Sequence, residues 1–120
     1  MRALIFQGLG KKALEERPKP TIATPTDAVV KITKTTLRHR PSHPQGRRPT
    51  CQPGRVLGHE GVGVIEAVGP AVAAFKPGDH VLISCISACG KCEYCRKGMY
   101  SHFVNGGWIL GNTIDGTQAE

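Results

Sequence analysis

Apolar and polar positions along the chain sort into short β-type runs. RALIF at residues 2–6 and DAVVKITKTTL at 27–37 are rich in β-branched residues with partial alternation, the pattern of strands with one face inward. GVGVIEAVG at 61–69 predicts a third strand, ended by Gly69 and Pro70, and FKPGDHVLISC at 75–85 predicts a Pro-Gly turn feeding a fourth. Between the first two runs, ERPKPTIATPTD carries three prolines and reads as a connecting loop. After Cys85 the alternation stops, and a lobe rich in Cys, Gly and Lys runs to about residue 103. No apolar stripe at helical spacing lasts three turns, and no internal repeat is present. The expected fold is a small, mainly β, barrel-like domain with a loop excursion.

Length and composition narrow this further. A chain of 120 residues has room for one modest core, hence one domain. Fifteen Gly and nine Pro suit a turn-rich β chain. No apolar run approaches the roughly 18 residues of a membrane helix, and MRALIFQG lacks a secretory pattern. A cytoplasmic location and no membrane partner are therefore expected. The formal charge of +7 is concentrated: Arg38, Arg40, Arg47 and Arg48 supply four of it within the acid-free block RHRPSHPQGRR at 38–48. Nucleic-acid binders usually spread their basic residues over one face, and no aromatic stacking residue lies in the block, so no nucleic-acid partner is expected.

Candidate chemistry is carried first by the cysteines. Cys51, Cys85, Cys89, Cys92 and Cys95 make an odd count, and the last three form CGKCEYC, two overlapping C-x-x-C steps. Such tight turns point thiolates at one centre, and Lys91, Arg96 and Lys97 favour the thiolate form. A redox dithiol and a disulfide staple are the alternatives. The first usually sits at a helix start within a βαβ unit, which is absent here, and an odd count in a cytosolic chain disfavours the second. Metal binding is the favoured reading, but only three ligands are evident. Residue 103, eight positions beyond Cys95, is Phe, which offers a metal nothing.

GHEGVG at 58–63 sets His59 and Glu60 just ahead of a strand. A tripeptide of this kind carries little by itself. Followed in order by GVGVIEAVGPAVAAFKPGDHV and then CGKCEYCRKG, it resembles the N-terminal, GroES-like domain of the zinc-dependent alcohol dehydrogenases of the medium-chain dehydrogenase/reductase superfamily. The resemblance runs from MRALIF to DGTQAE and implies a partly open GroES-like β-barrel with a zinc-binding lobe at 85–103, incomplete at its C-terminal end. It implies that His59 is a ligand of the catalytic zinc, with Glu60 the acidic residue beside it. It implies that Cys89, Cys92 and Cys95 are three of the four ligands of a structural zinc. The catalytic ligand set of that family, two cysteines and a histidine with one open position, is established. The implied reaction is hydride transfer from a small alcohol to NAD or NADP, giving an aldehyde or ketone, in a protein that is usually a homo-oligomer.

Four departures qualify the resemblance. After the strand ending in TTL, the family typically reads Cys-Gly-Thr-Asp-Leu-His-Ile-Leu-Lys-Gly-Asp-Val, which supplies the first catalytic zinc ligand and the proton relay. Here Arg38 stands in the column of that Cys, Arg40 in that of the relay Thr, Pro41 in that of the Asp and His43 in that of the relay His. A permanently cationic guanidinium repels a zinc ion. Codons for the family segment, entered two bases late (TGC GGC ACC GAC… read as CGG CAC CGA C…), can translate as RHRPSHPQGRR, reproducing the block completely. The block therefore reads as a frame-shifted dehydrogenase segment. The second departure is Phe103 in place of the fourth structural Cys, with His102 the neighbouring candidate to replace it. The third is that the remaining catalytic ligand lies, in the family, beyond the position of Glu120. The fourth is that no G-x-G-x-x-G joins a strand to a helix, so no nucleotide-binding Rossmann domain is expected within this chain. The chain reads as an inactive dehydrogenase fragment. The alternative is a non-catalytic zinc-binding β module whose basic loop contacts acidic partners.

Overall fold

A computed structural model describes residues 1–8, 10–36 and 51–120. The block at 38–48, with Arg38, Arg40, Pro41, His43, Arg47 and Arg48, lies outside the described residues, as does any reading of it as a basic loop.

Among the described residues seven elements follow one another: β1 (Arg2–Gly8), β2 (Lys11–Glu16), β3 (Ala28–Thr35), β4 (Gly61–Val68), β5 (His80–Ile83), the single-turn helix α1 (Glu93–Arg96) and a 3-10 turn (Tyr100–His102). β1 and β2 form an antiparallel hairpin, and β3, β4 and β5 form an antiparallel sheet in that order. The protein is mainly β with open sheets, as the alternation predicts. The predicted strands are present: β1 runs two residues beyond the 2–6 run, β3 and β4 are trimmed at their ends, and the fourth is only the HVLI core of the 75–85 run. β2 is the element that the sequence pattern does not announce. KKALEE has four charged residues and strong helix formers, yet its pairing with β1, from Arg2 opposite Glu16 to Gly8 opposite Lys11, makes it a strand.

Burial concentrates where β1 meets two extended segments. Ala3, Ile5 and Val56 form the buried cluster, with Ala119 packed against it. Ile5 bridges to Val56, and Ala3 to Ala119. The main chain ties the three segments together: Leu57 N–H donates to Leu4 O at 3.0 Å, Gln118 N–H to Leu57 O at 2.9 Å, and Leu4 N–H to Gln118 O at 2.9 Å. The TQAE stretch is thus held to β1 and to the segment that leads into GHEG. In β4, Gly61, Gly63 and Ile65 face inward, while Val62 and Glu66 face out. A Cβ on Gly63 would lie 2.3 Å from Lys31 O and 2.6 Å from Val30 Cγ1, so β3 passes too close for any side chain there. This close approach brings the end of β3 beside the start of β4, which is where His59 and Glu60 sit.

Candidate metal centres

The GHEG turn is built around glycine. Gly58 has φ +97°, and a Cβ there would meet Gln118 Cγ at 2.7 Å and Thr117 Oγ1 at 2.8 Å. From this turn His59 emerges half-buried, with Nε2 3.9 Å from Glu60 Oε1. The Glu60 carboxylate accepts a hydrogen bond from Thr36 Oγ1 at 2.5 Å, and the Glu60 carbonyl accepts from Thr35 Oγ1 at 2.7 Å and Thr117 Oγ1 at 2.8 Å. Gln118 Nε2 donates to Thr36 O at 2.8 Å. The last described residues of β3 and its exit, Thr35 and Thr36, are therefore fastened to the His59–Glu60 pair. Arg38 follows Thr36 by two positions in the chain.

Two contributors to this site escape sequence reasoning. The ring of Trp108, the only tryptophan in the chain, stands edge-on to His59 with centroids 6.1 Å apart and planes inclined at 66°. Thr117 braces Glu60 from 57 positions away. No local pattern signals either, because both act across folded distance. Glycines at 111 and 116, packed on the Gly58 backbone, are the nearest sequence hint of that closeness.

The second site is the cysteine lobe. The sulfurs of Cys89, Cys92 and Cys95 all lie within 4.8 Å of one another. Gly90, at φ +69°, makes the turn between the first two. Cys92 caps α1, its Sγ accepting from Cys95 N–H at 3.4 Å, while Cys92 N–H donates to Cys89 Sγ at 3.3 Å. Those main-chain donors, Cys95 N–H first and then Val104 N–H, bring the Cys92 thiol down to about 7. Burial acts the other way on Cys95, 5% exposed, and holds its thiol up. Three sulfurs so gathered, each reached by the tight turns of C-x-x-C steps, fit a zinc ion on three of its four corners. Phe103 is half-buried at the end of the 3-10 turn, and His102 is exposed and outside the sulfur cluster. Cys51 and Cys85 are likewise outside it. Among the described residues no helix is long and apolar enough to cross a membrane.

Comparisons with known proteins agree with this architecture. Residues 24–120 match the family described as the alcohol dehydrogenase GroES-like domain. The chain is 37% identical over 120 residues to zinc-type alcohol dehydrogenase B of Aspergillus flavus, spanning 28% of that protein. Among solved structures, zinc-dependent alcohol dehydrogenase 2 of Streptococcus pneumoniae in its apo form superposes with a TM-score of 0.83 at 48% identity, over 97% of this chain and 33% of that one. Alcohol dehydrogenase TADH of Thermus sp. ATN1 gives 0.85 at 37% identity, over 100% of this chain and 36% of that one. The chain thus spans about a third of the length of these relatives. With a family match over most of its residues, a GroES-like fold and a cysteine trio suited to zinc, this chain belongs to the GroES-like domain family of the zinc-type alcohol dehydrogenases, in the medium-chain dehydrogenase/reductase superfamily.

Proposed function

We propose that this chain is the catalytic-domain portion of an NAD(P)-dependent zinc alcohol dehydrogenase acting on a small alcohol or aldehyde, and that it does not turn over by itself. Residues 1–120 make one partial GroES-like domain with its zinc lobe at 85–103, and the nucleotide is held outside this chain. A cytoplasmic, homo-oligomeric enzyme follows from the same family likeness. The observation that carries the reading is the His59–Glu60 pair, fixed by Thr35, Thr36 and Thr117 at the exit of β3.

His59 is assigned as a ligand of the catalytic zinc and Glu60 as the carboxylate beside it. Zinc, when bound, lowers the pKa of the alcohol so that its hydride can pass to the nicotinamide. The donor set for this centre does not close within the chain: the column of the first ligand holds Arg38, whose positive charge opposes a metal ion. We assign residues 38–48 to a frame-shifted reading of the family segment. Cys89, Cys92 and Cys95 are assigned to the structural zinc.

Metal analysis and an assay on the purified chain test this together. About one zinc per chain is expected, lost when the three cysteines become Ser, with no NAD- or NADP-dependent oxidation of short alcohols. Turnover by the chain alone would overturn the inactivity, and absence of zinc would overturn the cysteine assignment. Sequencing the source DNA tests the frame shift, which predicts codons for Cys-Gly-Thr-Asp in an adjacent frame.

A further inference from the structure

We infer that Cys89, Cys92 and Cys95 form a three-thiolate metal site whose fourth position is open to a small sulfur or nitrogen donor from solution. The inference rests on the reading that the trio holds zinc and goes beyond it, to what completes the coordination. Zinc in a structural site takes four ligands, and a site with three protein ligands keeps one position for an external group.

Three observations leave that position to solution. Phe103, in the column where the family resemblance implies a fourth thiolate, is a hydrocarbon ring half-buried at the end of the 3-10 turn. His102, the adjacent donor, is exposed; its Nδ1 lies 3.1 Å from Ser101 Oγ and its ring 6.0 Å from that of Tyr94. It is not among the donor atoms that lie within 4.8 Å of one another. Glu93, the carboxylate within the motif, is paired with Lys97 Nζ at 2.6 Å. The three sulfurs themselves are kept together without a fourth side chain, by the Cys92 and Cys95 main-chain donors. A zinc ion on three thiolates carries a net negative charge and accepts a neutral donor such as imidazole without further charge build-up. A thiol binds the same position with release of its proton to solvent.

Cobalt substitution of the full chain reads the open position directly. Adding imidazole or 2-mercaptoethanol to the cobalt-loaded chain is expected to shift its visible d–d bands. Phe103→Cys, which supplies a fourth thiolate, is expected to abolish that response and to raise zinc affinity by at least about tenfold in chelator competition, the scale on which lesser changes around metal sites act. His102→Ala is expected to change neither the spectrum nor the affinity. Bands that do not respond to either donor, or a site weakened by His102→Ala, would show that the protein closes the site and would overturn the inference. If Phe103→Cys fails to fold, the donor titration and His102→Ala decide the matter alone. A chain that binds no cobalt fails at the earlier step, the assignment of the trio as a metal site.

Discussion

The Thr117 hydroxyl donates to the main-chain carbonyl of Glu60 at 2.8 Å, joining the TQAE stretch to the GHEG turn. Thr35 donates to the same carbonyl at 2.7 Å, and the two hydroxyls lie 3.1 Å apart. Three segments distant in sequence thereby converge on one oxygen beside His59. Thr117→Val is expected to cost about 1 kcal/mol, the net worth of one hydrogen bond, since Thr35 still satisfies the carbonyl. Thr35→Val with Thr117→Val strands the acceptor and is expected to cost more than the sum of the single changes. Urea unfolding of the four proteins in a double-mutant cycle measures the difference. Strict additivity would mean that the shared carbonyl does not couple them.

Gly58→Ala tests the turn that presents His59. The φ of +97° is strained for any side chain, and the new Cβ would sit 2.7 Å from Gln118 Cγ and 3.1 Å from Gln118 N. Backbone strain of this kind costs roughly 1–3 kcal/mol, and displacement of the Gln118 main chain adds to it. A marked fall in thermal midpoint is expected, together with loss of the ring contact between His59 and Trp108, read as a change in tryptophan fluorescence.

The small core makes Ile5 disproportionately important. It is 1% exposed and is the largest fully buried side chain among the described residues. Ile5→Ala is expected to destabilise by about 2–5 kcal/mol, through lost transfer energy and the cavity left against Val56. Chemical denaturation compares it with Leu82→Ala on β5, where Leu82 is 79% exposed and a change of a few tenths of a kcal/mol is expected.

A pH dependence follows from Asp27 at the entrance to β3. Its carboxylate accepts from Thr24 Oγ1 at 2.7 Å, Thr24 N–H at 2.7 Å and Ala23 N–H at 3.1 Å. The Thr24 hydroxyl, followed by the Thr24 N–H, holds its pKa below the ordinary 3.8. A depressed folded-state pKa gives stability that is present above 3.8 and is lost as pH falls below it through the folded value. Asp27→Asn is expected to reduce the acid-induced loss of stability below that pH. Unfolding curves for both proteins from neutral pH downward check it; equal slopes would remove Asp27 from the account.

Much of the fold is legible locally. The β-branched runs that become β3 and β4 name themselves, as does the Pro-Gly turn ahead of β5. β2 does not, because KKALEE becomes a strand only through the hydrogen bonds of its neighbour, and propensity yields to pairing. The alternation of GVGVIEAV fixes two faces but does not say which is inward. The valine-rich choice for Val62 is the wrong one, since the nearness of β3 requires glycine inside.

The sites divide along the same line. CGKCEYC lies within seven residues, so short-range turn geometry alone suffices to bring its three sulfurs together, and the sequence determines the cluster. By itself the sequence also determines the family, through GHEG and the cysteines in their order. Tertiary structure alone decided that Thr35, Thr36, Thr117 and Trp108 surround His59 and Glu60, and that His102 stays apart from the sulfurs. Those relations span up to 82 positions, as with the hydroxyls of Thr35 and Thr117, and no local pattern encodes a contact made only when separate strands pack.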